Sequence, residues 1–251
     1  LLALSSSQIR ALNTAQIVEL TSTQLAGLSS AAVAALTTEQ LSVLSPSSRN
    51  YFDASSLLAL SGTQIVGLTT AQFAALSTST LAALNTSTIS SLTTAQIAGM
   101  TTEQAANLTT TAVKALTTSQ VGAIETTDLV VMSTAQLLAL SSSQIQALST
   151  AQVVELTSGQ LLGLSSAALN ALTTNQLSAL SSSKLNFLDV ASVLGLSVTQ
   201  LASLTTNQTA GLSTAIVAAL DTNAVIGLTT AQVVALTTDQ AASLTTATVK
   251  A

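Results

Sequence analysis

Large apolar residues recur every eight positions along this chain, and the frame never slips. From Leu4 to Leu244 the stops are Leu, except for Phe52, Met100, Ile124 and Met132, which are also large and apolar. A second apolar residue, usually Ile, Val or Leu, follows five places later, as in Ile9, Ile65, Val153 and Val233. A short period held without insertion marks a repeat array, in which each unit buries its apolar face only against its neighbours. One continuous helix cannot use this pattern. Eight residues at about 100° each overshoot two turns by about 80°, so the stripe would wind round the cylinder and face no single partner.

The polar positions say what each unit is. With the recurring Leu as position 1, position 2 takes Ser, Thr, Asn or Asp throughout, as in Ser5, Asn13, Thr21, Asp189 and Asp221, with Glu125 the one departure. Those are the residues that cap helix N-termini. Position 5 is most often Gln, as in Gln8, Gln16, Gln64 and Gln232, so positions 2 to 5 spell a capping box. Positions 1 and 6 then form the hydrophobic staple of the same helix start. The only proline, Pro46, stands at position 3, the first helical residue, where its missing N–H costs nothing. Acids at position 4 (Glu39, Glu103, Asp239) lie in the first turn, where the helix dipole favours them. Position 8 is mostly Ala, Gly or Ser, which permits close backbone approach, and Gly there is expected to help end the helix. The predicted fold is therefore all-α, a solenoid of very short capped helices, one per octad.

A β-solenoid is the alternative, since Thr, Val and Ile suit strands. Against it stand the abundant Ala and Gln, the cap alphabet and the absence of the Gly- and Asp-rich turns of β-rolls. An isolated octad is too short to hold a helix in water, so order must come from stacking. With two or three octads per coil and coils about 10 Å apart, the array would make a rod on the order of 100–150 Å long.

A longer period lies over the octads. The stretch from Ala3, ALSSSQIRALNTAQIVEL, returns from Ala139 as ALSSSQIQALSTAQVVEL, an offset of 136 residues or seventeen octads. Residues 1–136 thus form one copy of a super-repeat and 137–251 an incomplete second, within a single continuous array; the absence of terminal capping repeats suggests an excerpt from a longer one. The least regular octads fall at one place in each copy, SPSSRNYFDASS from Ser45 and SSSKLNFLDVAS from Ser181. Here Arg49 replaces the apolar position 6, and Tyr51, Phe52 and Phe187 supply most of the few aromatics. Such rings either fill a wider gap in the solenoid or, with Arg49, anchor a contact between subunits. Arg49, Tyr51, Phe52 and Phe187 are the candidate assembly contact.

Composition removes most chemistry. There is no Cys and no His, hence no thiolate, no disulfide and none of the commonest general base and metal ligand. A net charge of −5 with only 6% charged residues gives no electrostatic footprint for nucleic acid. Ser/Thr pairs interrupt every apolar run well before the roughly 18 residues a membrane span needs. Disorder is excluded by the apolar supply, 48% of residues. Ser181 to Lys184 fits S-x-x-K, a serine nucleophile with its lysine, but Ser is so abundant that the match is expected by chance, and no companion motif supports it. Glu125 and Asp128 are the only close acid pair; they read as a cap with a favourable dipole partner, too few for calcium. Asn85, Asn107 and Asn207 begin glycosylation sequons that Ser/Thr abundance makes cheap. Thr rows at positions 2 and 3 admit an ice- or carbohydrate-binding surface as a remote alternative, although Ser substitutes for Thr freely.

Phrases such as LTTAQVVAL and LTSTQLAGL resemble the octapeptide arrays of very large, low-complexity surface or secreted proteins of Gram-negative bacteria, often described as adhesin-like or haem-utilisation proteins. The resemblance covers essentially the whole chain and implies an extracellular or cell-surface setting. It carries over no functional residue, and a haem role finds no His or Cys ligand. The expected function is a non-enzymatic structural segment that needs no cofactor or small-molecule substrate. It self-assembles into a filament, sheath or surface layer, partnered by itself or by neighbouring repeats, or alternatively serves as the rigid spacer of a large adhesin.

Overall fold

Each described octad folds into one helix that begins at position 3, as the cap alphabet requires. The computed structural model describes residues 4–51, 54–188 and 190–244, without the side chains of 49–51, 54 and 55. Among the described residues there are 29 α-helices of four to six residues, one 3-10 helix at Pro46–Tyr51, and no strand. The frame therefore holds from Ser6–Ala11 to Thr238–Ser243, and the β-solenoid alternative is set aside. Wherever Gln stands at position 5 of a described helix, both halves of the capping box are present. At Thr101, for example, the hydroxyl accepts from the Gln104 N–H, and the Gln104 side chain accepts in return from the Thr101 N–H.

The corners depart from one expectation. No described residue has a positive φ, so no glycine ends a helix in the left-handed conformation. Instead the chain leaves the helix through two extended residues, the Leu of position 1 and the cap of position 2, as at Leu12 (φ −66°, ψ 134°) and Asn13 (φ −80°, ψ 166°). The N–H of position 1 closes the last turn on position 6, as Leu12 does on Ile9 at 3.2 Å.

The chain forms two units, Leu1–Met132 and Ser133–Ala251. Within each, a helix packs on the third helix along. In the first unit Ser6–Ala11 meets Ser30–Ala35, and Thr102–Ala106 meets Thr126–Val131; in the second Thr150–Glu155 meets Thr174–Ala179, and Thr206–Gly211 meets Thr230–Ala235. Three octads, 24 residues, thus make one coil, which the period alone left at two or three. Positions 1 and 6 supply the core: Val33, Ile65, Phe73, Val113 and Leu129 in the first unit, and Val153, Leu161 and Leu169 in the second, have essentially no exposed surface. Octads equivalent by this three-fold step occupy one column of the stack.

Candidate functional site

The capping glutamine has a second partner, one coil away. Its Oε1 serves its own cap, which leaves two N–H groups on Nε2, and these donate to backbone carbonyls 28 to 31 residues earlier. Gln104 Nε2 lies 3.1 Å from the carbonyl oxygen of Phe73, 3.2 Å from that of Ala74 and 2.8 Å from that of Leu76. Those are positions 6, 7 and 1 of the corner beneath. Three carbonyls at the end of a short helix, of which only that of position 6 has a backbone partner, the N–H of position 1, therefore converge on one point, and the amide fills it. The same slot is taken, on two or three of these carbonyls, by Gln40, Gln64, Gln72, Gln96 and Gln120 in the first unit and by Gln176, Gln200, Gln208, Gln232 and Gln240 in the second.

These glutamines are buried, in contrast to Gln8, Gln16 and Gln24, which make only the cap and are exposed. One residue type thus stitches the chain twice, along its own helix start and down to the coil below. The sequence shows the first stitch, because cap and Gln are three residues apart. The second has no side-chain partner to reveal it.

Some octads place another residue in this slot. Lys184 turns its ammonium down onto the carbonyls of Val154 and Leu156, the same acceptors a Gln would take. That engagement disposes of the S-x-x-K reading, since the Ser181 hydroxyl meanwhile caps its helix by accepting from the Lys184 backbone N–H. Ala112, Ala168 and Ala224 fill the slot with no polar group at all. Asp128 fills it with a carboxyl that is 2% exposed and whose Oδ2 has no hydrogen-bond partner. Burial first, and the charge of Glu125 second, push the Asp128 carboxyl above the ordinary carboxylate value of 3.8.

Position 8 is small because of what lies below it. A Cβ on Gly163 would fall 2.1 Å from Thr134 Cγ2, and one on Gly211 2.3 Å from Ser182 Cβ, each at position 3 of the coil beneath. Close approach, and not helix termination, explains these glycines.

Of the candidate assembly contact, Phe52 and the side chains of Arg49 and Tyr51 lie outside the described residues. Phe187 is described and does not fill the core. Its helix, Ser182–Leu185, is the shortest among those described, and the ring stands on the turn that follows it, 46% exposed, between buried Leu185 and Leu188. Asn186 holds that turn to the next coil, donating to the Gly211 carbonyl at 2.7 Å and accepting from the Ser213 N–H at 2.9 Å. In the same column, one and two coils below, position 7 carries Leu162 and Leu138, exposed by 63% and 47%. The second unit thus bears a column of outward apolar groups on three successive coils.

A surface groove of about 430 Å³ beside Gly62, Thr63, Asn85, Ser87 and Thr88 carries hydroxyls and an amide but no acid or base. Among the described residues no three acids, His or Cys come together as a metal-binding group, and no helix is long and apolar enough to cross a membrane.

Comparison with known families accounts for this pattern. The ALTTAQ repeat profile matches residues 1–30, 79–110, 121–158 and 217–246, together more than half of the chain. Its six letters correspond to position 8 and positions 1 to 5 of the octad, which are the small contact, the corner Leu, the cap and the stitching Gln. Among curated proteins, none matches the chain. By its octad, its caps and its glutamine slots, the chain belongs to the ALTTAQ repeat family.

Proposed function

We propose that the chain is a non-enzymatic structural segment, a spacer on the outside of a bacterial cell whose coils hold other parts of a longer protein apart. The observation that carries this reading is the glutamine ladder. Coil binds to coil through groups that most octads supply, so length follows from repeat number and needs no further partner. The extracellular setting is supported by a Ser/Thr-rich surface with few charges and by the likeness to surface-protein arrays. Negative-stain electron microscopy over a wide concentration range tests the proposal. Discrete particles of one length at every concentration are expected; filaments or sheets would overturn it.

The apolar column of Leu138, Leu162 and Phe187 favours a second reading, lateral self-association into a filament or surface layer. Exposed aromatics are the usual anchors of such contacts, and little charge repulsion opposes them here. In that case Phe187→Ala, which disturbs no buried group, abolishes the assemblies while the circular dichroism spectrum stays unchanged.

A further inference from the structure

We infer that Asp128, Glu125 and the corner formed by Ile97, Ala98 and Met100 make a binding site for a hard divalent cation, calcium in the first instance. The argument rests on the slot. Where Gln occupies it above a lower coil, two or three carbonyls from positions 6, 7 and 1 of that coil converge on one nitrogen, as those of Phe73, Ala74 and Leu76 do on Gln104 at 2.8 to 3.2 Å. At Asp128 the corresponding carbonyls belong to Ile97, Ala98 and Met100. The helix that ends there, Thr94–Ala98, has the same length and an equivalent C-cap N–H bond to those of Gly62–Val66 and Thr70–Ala74, which lie beneath Gln96 and Gln104.

Asp128 faces that convergence with oxygens only. Its carboxyl is 2% exposed, and Oδ2 has no donor. Acceptor against acceptors is reconciled by a positive charge placed between them. Lys184 shows that the slot takes one, since its ammonium rests on the carbonyls of Val154 and Leu156.

Glu125 completes the set. At the cap position it makes no side-chain hydrogen bond to its helix, unlike the Ser, Thr, Asn and Asp caps of the other octads. In several octads the side chains of positions 2 and 5 touch, as where Ser61 Oγ lies 2.8 Å and Thr21 Oγ1 3.1 Å from the Oε1 of their glutamines. Two carboxylates at positions whose side chains meet, above three convergent carbonyls, form an all-oxygen set of the kind calcium selects. The pair alone has too few ligands; the backbone below supplies the rest.

The test is thermal unfolding of the chain, followed by circular dichroism, in a chelator and in calcium chloride. At the affinities of calcium modules outside cells, about 0.1–1 mM, roughly 10 mM calcium chloride fills the site and raises the midpoint, because only the folded chain binds. Asp128→Gln restores the donor of the ladder, so it folds, unfolds at a higher midpoint than wild type in chelator, and gains nothing from calcium. Titration calorimetry should find one calcium per chain in the wild type and none in Asp128→Gln. An equal calcium shift in both proteins would overturn the site, since it would mark general screening. A wild-type midpoint indifferent to calcium would overturn it equally, and would leave a proton as the occupant of Asp128.

Discussion

At the scale of the residue, stability turns on one amide. Replacing Gln104 by Met keeps the volume but leaves the carbonyls of Ala74 and Leu76 and the Thr101 N–H without these partners, and the Phe73 carbonyl with only its backbone one. A buried group so stranded costs about 1–3 kcal/mol, and a loss of roughly that size or somewhat more is expected from urea unfolding. Two glycines in one octad should answer oppositely to alanine. Gly163→Ala drives a methyl into Thr134 and destabilises by about 1–3 kcal/mol, whereas Gly159→Ala meets nothing within 4 Å and stabilises its helix by about 0.5–1 kcal/mol; thermal melts of the two variants decide. Asp128 makes stability depend on pH in a stated sense. Its folded-state carboxyl titrates above 3.8, so below that value the folded and unfolded chains are both protonated there and no penalty exists. The penalty grows as pH rises from 3.8 through the folded value and is complete above it. In chelator, Asp128→Asn is therefore more stable than wild type at neutral pH, and the difference disappears in melts below about pH 3.8.

At the scale of the element, the octad is the unit of change. Removing residues 76–83 takes out one helix with its cap and corner and brings equivalent positions together again, because ladder donors need only positions 6, 7 and 1 of the coil below. Removing 76–79 places caps where core residues belong. Chemical denaturation should show one cooperative, modestly weakened transition for the first deletion and loss of structure for the second. Equal damage would mean that the octad is not the folding unit. The same contrast explains what the sequence made legible. Cap, box and staple join residues three to five apart and leave their signature in neighbouring letters, so helix starts from Ser6 to Thr238 could be read directly. Three octads per coil could not, since neither two nor three breaks an eight-residue period. The lower partner of Gln104 is backbone, which leaves no letter behind. For the same reason Glu125 and Asp128 read as an ordinary cap pair: the burial of Asp128 and the carbonyls beneath it are properties of the coil, not of the octad. Phe187 was legible as exceptional, but its exposure depends on a helix cut short at Leu185.

At the scale of the whole molecule, stability should behave as a sum over coils joined by nearest-neighbour contacts. Insertion of a further copy of residues 84–107, one full coil, is expected to raise the unfolding free energy by a fixed increment that a second insertion repeats; denaturant titrations of the series measure it. The ladder adds something that a sum does not express. Each slot donor of the ladder lies 28 to 31 residues later in the chain than its acceptors. The stack therefore has an order in time. A chain that leaves a narrow exit with its N-terminus leading delivers each coil onto carbonyls already in position, so it closes like a zip behind the exit and never exposes more than about one coil of unpaired backbone. Delivered from the other end, the same coils would arrive holding donors with nothing yet to grip.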